Sequence, residues 1–126
     1  MARIKDLMEK HMVAVSRSAS VGAAMRLMKR SHVTVLPVLD GTTLSGVLTM
    51  SEAERQAERW GETKDLGDMN LRLVFVELND TPEKAAKTMV LHKLNRLPVV
   101  STAAGMKCVG VISSTEIARS HKKRIL

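Results

Sequence analysis

Two short motifs place a carboxylate three positions after a hydroxyl side chain. They are Thr49-Met50-Ser51-Glu52 and Ser113-Ser114-Thr115-Glu116, and each follows a glycine and two apolar residues. The hydroxyls of Thr49 and Ser113 can donate hydrogen bonds to phosphate oxygens, and the carboxylates of Glu52 and Glu116 can accept hydrogen bonds from ribose hydroxyls. Each motif is predicted to lie where a strand ends and a helix begins, and a helix N-terminus favours phosphate. The spacing therefore indicates ligand contacts, although Glu52 can equally stabilise the first helical turn.

The two motifs belong to two copies of one repeated unit. The shift that lays Val13-Ala14-Val15 on Val74-Phe75-Val76 also lays Leu36-Pro37-Val38 on Leu97-Pro98-Val99. Three extra residues then precede Gly110-Val111-Ile112-Ser113, the counterpart of Gly46-Val47-Leu48-Thr49. We expect one unit at residues 1–61 and a second at residues 62–126, joined without a flexible linker.

Each unit reads as strand, helix, strand, strand, helix. Ser20 and Thr81 are predicted helix N-caps, and Pro82 suits a first helical position. The second helix is predicted to start near Ser51, with Glu54 completing a capping box, and its counterpart near Ser114. The sequence predicts an α+β fold of two β-α-β-β-α repeats, packed sheet to sheet in one compact module. The predicted strands are Val13–Val15, Val33–Leu39 and Leu44–Met50 in the first copy, and Leu73–Val76, Arg96–Val100 and Met106–Ser113 in the second.

This ordered pattern resembles the cystathionine-β-synthase (CBS) domain family in its tandem-pair form, the Bateman module. The resemblance covers almost the whole chain. It rests on Asp6-Leu7-Met8, the Ser20-Val21…Ala24…Met28 helix, Leu36-Pro37-Val38-Leu39-Asp40 and Gly46–Glu52, and on their counterparts Thr81–Met89, Asn95–Val100 and Gly110–Glu116. The resemblance implies a regulatory module that binds an adenosine compound in the cleft between repeats and forms a homodimer. AMP, ADP and ATP are the expected ligands; S-adenosylmethionine, a cation, suits the basic chain less well.

The resemblance assigns further site residues and exposes two departures from the family. The family usually has aspartate where this chain has Glu52 and Glu116, so each carboxylate lies one methylene further out. A basic residue before the Leu-Pro-Val strand often reaches phosphate, which selects Arg96; Val35 stands at that position in the first copy. The two sites are therefore expected to differ in affinity. A surface ion pair is the alternative role for Arg96.

The resemblance also implies an apolar adenine pocket at the start of each unit. Val15 and Val76 are the candidate pocket residues, and backbone groups beside them are expected to read the adenine edge. The alternative for both side chains is the hydrophobic core.

Composition restricts the remaining function classes. The 126 residues carry a net charge of +7 and a single cysteine, so disulfides within the chain are excluded and a cytoplasmic location is expected. No catalytic motif is present, no spacing of His or Cys indicates a metal, and no cofactor is required. No apolar run reaches the length of a membrane span, and the charged start does not read as a secretory signal. The basic tail from Arg119 to Arg124 is expected to continue a helix whose C-terminus favours cations; the alternative is a docking patch for nucleic acid or an acidic partner.

Three functions fit these observations. The first is a stand-alone sensor of an adenosine nucleotide that passes its signal to an unidentified partner protein. The second is a structural dimerisation module with degenerate ligand sites. The third is nucleic-acid binding through the basic surface, which the near absence of aromatic residues disfavours.

Overall fold

The computed structural model describes the backbone of residues 2–125 and the side chains of residues 2–120. The chain divides into two compact units, each described separately below. The contiguous unit comprises Val13–Leu73, and the split unit comprises Met1–Met12 together with Val74–Leu126. In chain order the elements are α1 (Ile4–Leu7), β1 (Val15–Ser16), α2 (Val21–Ser31), β2 (Val35–Asp40), β3 (Thr43–Thr49), α3 (Met50–Trp60), a short 3₁₀ turn (Leu66–Asp68), β4 (Val76–Glu77), α4 (Pro82–His92), β5 (Arg96–Val100), β6 (Cys108–Ser113) and α5 (Ser114–Ile125).

Each unit contains one three-stranded sheet with the same topology. The strand orders are β1-β2-β3 and β4-β5-β6. The first pair of each sheet is parallel and the second is antiparallel. The predicted α+β class and the repeated β-α-β-β-α order are confirmed. The sheet-to-sheet packing of the two repeats stays a prediction.

Helices α2 and α4, which follow the leading strand of each repeat, begin as predicted. The Ser20 hydroxyl accepts the Ala23 N–H at 3.1 Å, and the Thr81 hydroxyl accepts the Lys84 N–H at 3.2 Å. Pro82 occupies the first turn of α4, where its missing N–H costs no hydrogen bond. Both helices end at a residue in the left-handed conformation, His32 and Lys93, which terminates the helical hydrogen bonding.

The N-cap of the second helix of the first repeat lies two residues earlier than predicted. Thr49 is its N-cap and Glu52 completes the capping box, so the assignment of these roles to Ser51 and Glu54 was wrong. Both pairs have the spacing of a capping box. Only Thr49 has the extended backbone that a cap requires, because it still pairs with Val35 in the sheet. The counterpart helix α5 starts at Ser114, as predicted.

The leading strand of each repeat and the strand predicted from Met106 are shorter in the structure than predicted. The leading strand of each repeat is only Val15–Ser16 or Val76–Glu77, because only these residues find partners on the neighbouring strand. The strand predicted from Met106 begins at Cys108, since Met106 has a φ of 54° and lies outside the extended region.

The core of the contiguous unit lies between its sheet and its helices. Leu36 and Leu48, which face each other across β2 and β3, pack with Val21, Met28 and Ala53 from the two helices. In the split unit, Leu97 and Ile112 form the corresponding cross-strand pair and are fully buried. Because side chains alternate along a strand, Thr49 and Ser113 point to the opposite face of each sheet.

Each unit is completed by a short segment, here called its lead-in segment. The lead-in segment is residues 62–73 in the contiguous unit and residues 1–12 in the split unit. Glu9 bridges to Val111 at the free edge of β6, with N···O distances of 2.8 and 3.0 Å. Arg72 bridges to Val47 of β3 in a similar way: the Val47 N–H donates a 2.8 Å hydrogen bond to the Arg72 carbonyl oxygen. Spatially, residues 1–12 therefore complete the second repeat and residues 62–73 the first. The division at 61/62 describes the sequence repeat rather than these units.

Two glycines permit this close approach. A Cβ on Gly46 would lie 2.7 Å from the Leu71 Cβ and 2.8 Å from the Arg72 carbonyl oxygen. A Cβ on Gly110 would lie 2.5 Å from the Glu9 carbonyl oxygen. The glycines of the two motifs therefore admit the chain's own backbone beside each sheet.

The described part of the chain contains no helix long and apolar enough to cross a membrane. The side chains of Lys122, Lys123 and Arg124, which form most of the predicted basic tail, lie outside the described residues.

Candidate functional site

The Thr49–Glu52 pair forms a closed hydrogen-bonded box at the start of α3. Glu52 Oε1 accepts the Thr49 N–H at 3.0 Å and the Thr49 hydroxyl at 2.7 Å. The Thr49 Oγ1 in turn accepts the Glu52 N–H at 3.2 Å. The structure therefore uses the carboxylate to stabilise the first helical turn, which is one of the two roles expected for Glu52.

Arg72 binds the same carboxylate from the lead-in segment. Its Nη2 lies 3.3 Å from Glu52 Oε1, and its Nε lies 3.3 Å from Oε2. Burial alone raises the pKa of the Glu52 carboxyl, but hydrogen bonds from Thr49 and the charge and hydrogen bond of Arg72 together bring it below its usual value. Both carboxylate oxygens of Glu52 are thus engaged by the chain itself.

The Ser113–Glu116 pair forms the equivalent box at the start of α5. Glu116 Oε1 accepts the Ser113 N–H at 2.7 Å and its hydroxyl at 2.9 Å. The Glu116 N–H completes the box with a long bond of 3.4 Å to the Ser113 hydroxyl. Among the described residues, no hydrogen bond or ion pair reaches Glu116 Oε2.

Arg96 lies directly opposite Ser113 on the neighbouring strand. Residues opposite each other in an antiparallel pair have side chains on the same face, so Arg96 and Ser113 share one face of the sheet. The Arg96 Nη1 lies 3.6 Å from Glu9 Oε2, and its side chain is 25% exposed. The structure thus brings Arg96, Ser113 and Glu116 to one end of one sheet, with the expected ion pair at Arg96.

Val15 and Val76 are both buried. Val15 is 9% exposed and belongs to the core cluster of the contiguous unit, while Val76 is 1% exposed. These values favour the core role for both side chains. Only backbone groups near these positions remain as candidates for reading an adenine edge.

Sequence reasoning missed Glu9 and Arg72, the two lead-in residues that bind the predicted site residues. Neither lies near its partner in sequence, and neither belongs to a repeated motif. The available signal was Gly46 and Gly110, since a glycine within a strand indicates close approach of another backbone. That signal indicates an approach without identifying the segment that approaches.

The remaining reactive side chains form no second site in the described residues. Cys108 is buried, as predicted for a small apolar position, and burial raises the pKa of its thiol. Its Sγ lies 3.6 Å from the Met12 Sδ. Among residues with described side chains, no group of three or more His, Cys, Asp or Glu is placed to hold a metal ion.

Comparison with known proteins identifies the repeat. A family model for the CBS domain matches residues 4–55 and again residues 64–123. The CBS domain-containing protein YhcV of Bacillus subtilis is 29% identical over 121 residues, which cover 94% of this chain and 84% of YhcV. An inosine-5′-monophosphate dehydrogenase of Korarchaeum cryptofilum is 28% identical over 115 residues, covering 91% of this chain but only 23% of that enzyme.

Solved structures agree with the family match. The crystal structure of CBSX2 in complex with AMP superposes with a TM-score of 0.80 at 27% identity, covering 100% of both chains. A CBS domain pair in complex with 5′-methylthioadenosine and S-adenosyl-L-methionine gives a TM-score of 0.80 at 18% identity, with 98% of each chain covered. At that identity the second structure supports the fold alone.

Proposed function

Because the chain belongs to the CBS domain family, we propose that it is a regulatory module that senses an adenosine nucleotide and performs no catalysis of its own. The CBSX2 complex supports this proposal, since a chain of the same fold, aligned over its full extent with this one, is in complex with AMP. Nothing is carried over from the dehydrogenase, since the similarity covers only 23% of that enzyme.

The observation that carries the proposal is the placement of Arg96 opposite Ser113, beside Glu116, in the split unit. Arg96 and the N-terminus of α5 lie at one end of the sheet, and each of these two groups favours a phosphate. Glu116 Oε2 is suited to accept a ribose hydroxyl, because its other oxygen is held by Ser113. Backbone groups near Val76 would contact the adenine.

The corresponding end of the contiguous unit is less suited to a nucleotide. Val35 stands opposite Thr49 and carries no charge. Both oxygens of Glu52 are engaged by Thr49 and Arg72. We therefore assign the stronger site to the split unit, and expect the contiguous unit to bind weakly if at all.

The ligand class follows from the arginine. AMP, ADP and ATP present a phosphate to Arg96, whereas S-adenosylmethionine brings a positive charge to the same group. A cytoplasmic location, a homodimer and transfer of the signal to a separate partner protein complete the proposal. The position of the ligand between the repeats stays a prediction from the family resemblance.

Calorimetric titration with AMP, ADP, ATP, S-adenosylmethionine and NAD tests the proposal. We expect binding of at least one phosphorylated adenosine compound, and at least about a tenfold loss of affinity in Arg96→Gln, because a hydrogen-bonded charge is removed. Lys107→Gln is the matched control: it removes one positive charge from an exposed position of the same unit and should leave affinity unchanged.

Other results support the competing functions. If no adenosine compound binds, the structural dimerisation module is favoured, with degenerate sites in both units. Binding of single-stranded DNA or RNA with a steep salt dependence, unaffected by Arg96→Gln, would instead indicate nucleic-acid binding through the basic surface.

A further inference from the structure

We infer that Glu9 is a specificity-determining residue, an internal anion that an incoming phosphate must displace from Arg96. This inference rests on the proposed nucleotide site and assigns the charge selectivity of that site to a residue outside the two repeat motifs. It concerns only groups of the split unit.

The strand register places Glu9 on the same face as the proposed site. On one side of β6, Glu9 lies opposite Val111. On the other side, Arg96 lies opposite Ser113, which is two residues after Val111 on the same strand. Opposite residues, and residues two apart on a strand, share a face. Glu9 and Arg96 therefore flank β6 from its two sides, and their charged groups meet across it.

The Glu9–Arg96 contact has the character of an exchangeable pair. Its N···O distance is 3.6 Å, and the Glu9 side chain is 49% exposed. No hydrogen bond with acceptable geometry accompanies it among the described side chains. The two backbone bonds between Glu9 and Val111 fix the main chain of Glu9, which keeps its side chain within reach of the guanidinium. Exposed pairs of this kind contribute little to stability and are readily screened.

A phosphate competes well for this arginine. A phosphate monoester carries more negative charge than one carboxylate, and it can accept two parallel N–H bonds from a guanidinium. Glu9 nevertheless lowers the affinity for every anionic ligand, because its pair with Arg96 must be broken and two negative charges then lie close together. An uncharged adenosine ligand has no phosphate to place there and does not compete with Glu9.

The experiment compares AMP with adenosine on wild type and Glu9→Gln. We expect the variant to bind AMP about fivefold more tightly while its affinity for adenosine stays the same. The glutamine keeps the backbone bridge to Val111, so a change in the AMP-to-adenosine ratio reports charge rather than a loosened lead-in segment. Glu54→Gln is the matched control, since it makes the same charge change at an exposed position of the contiguous unit.

The outcomes separate this inference from the proposed function. If wild type binds AMP and Glu9→Gln binds it equally, this inference is overturned and the nucleotide site stands. Equal gains for AMP and adenosine, or an equal gain in Glu54→Gln, also overturn it, because they indicate a packing or net-charge effect. Where AMP does not bind, ADP or ATP replaces it in the same comparison. If no phosphorylated adenosine compound binds to either protein, the proposed function fails and this inference fails with it.

Discussion

The two units share strand order, helix caps and lead-in bridges, yet they place their charges differently around the same strand. In the contiguous unit the cation is Arg72, on the lead-in segment, and the strand position opposite Thr49 is Val35. In the split unit the cation is Arg96, on the strand opposite Ser113, and the lead-in segment carries Glu9. The cation on the lead-in segment, Arg72, therefore neutralises Glu52 of the helix cap. The cation on the strand, Arg96, instead neutralises Glu9 of the lead-in segment.

This difference separates a structural pair from an available one. Arg72 binds Glu52, which already caps α3, so a cation, a carboxylate and a helix end form one closed group. Arg96 instead binds the exposed Glu9 and leaves one oxygen of Glu116 without a bond in the described residues. One repeated motif can therefore stabilise the fold in one copy and be suited to a ligand in the other.

The largest effect is expected from substituting the glycines that both units share. Gly110→Ala and Gly46→Ala should each destabilise the protein by about 1 to 3 kcal/mol, because the new methyl group meets backbone of the lead-in segment. Gly105→Ala is the control: its nearest neighbour is the Thr102 hydroxyl at 3.2 Å, in an exposed loop that can adjust. Urea unfolding measures all three. Equal stability of the three variants would contradict the close approach in both units.

An intermediate effect should distinguish the two arginines. Arg72→Met should lower the unfolding free energy by about 2 kcal/mol, because it leaves the half-buried Glu52 without its charged partner. Arg96→Met should cost less than about 1 kcal/mol, since Glu9 is half exposed. We expect the reverse order for AMP affinity, which falls in Arg96→Met and is retained in Arg72→Met. Equal stability losses in urea unfolding would remove the distinction between the units.

The smallest effect is a pH dependence confined to the contiguous unit. Because the folded-state pKa of Glu52 lies below its usual value of 4.5, its contribution is fully present above that pH and is lost as the pH falls through the lowered value. The stability difference between wild type and Glu52→Gln should therefore shrink between pH 5 and pH 3. Melting temperatures across that range test this. A difference that stays constant would show that the charge of Glu52 is not what stabilises the cap.

The β-α-β-β-α order was predictable because its strands and helices carry local signals, whereas the short helix Ile4–Leu7 and the turn Leu66–Asp68 were not predicted. Ser20 and Thr81 precede apolar residues at helical spacing, and the repeat supplies every signal twice, so the predicted topology is confirmed. The start of α3 was misplaced because Thr49–Glu52 and Ser51–Glu54 have the same spacing. The sheet decides between them, since Thr49 is still paired as a strand residue.

The candidate site was predictable only in part. The hydroxyl–carboxylate pairs and Arg96 follow from motif spacing and resemblance. The ion pairs of Glu52 with Arg72 and of Arg96 with Glu9 depend on backbone bridges between residues far apart in sequence, and no local pattern encodes those bridges. Val15 and Val76 were ambiguous for another reason: an apolar side chain has the same signature in a core as in an adenine pocket.

The lead-in bridges also set an order for folding during synthesis. The contiguous unit has all its residues as soon as Leu73 has emerged from the ribosome. Residues 1–12, though made before the contiguous unit, pair only once β6 has been made. β6 ends some 40 residues after Leu73, which adds roughly 2 to 8 s at typical elongation rates. The segment that carries Glu9 is therefore synthesised before the contiguous unit but reaches its partner strand only after that unit is complete.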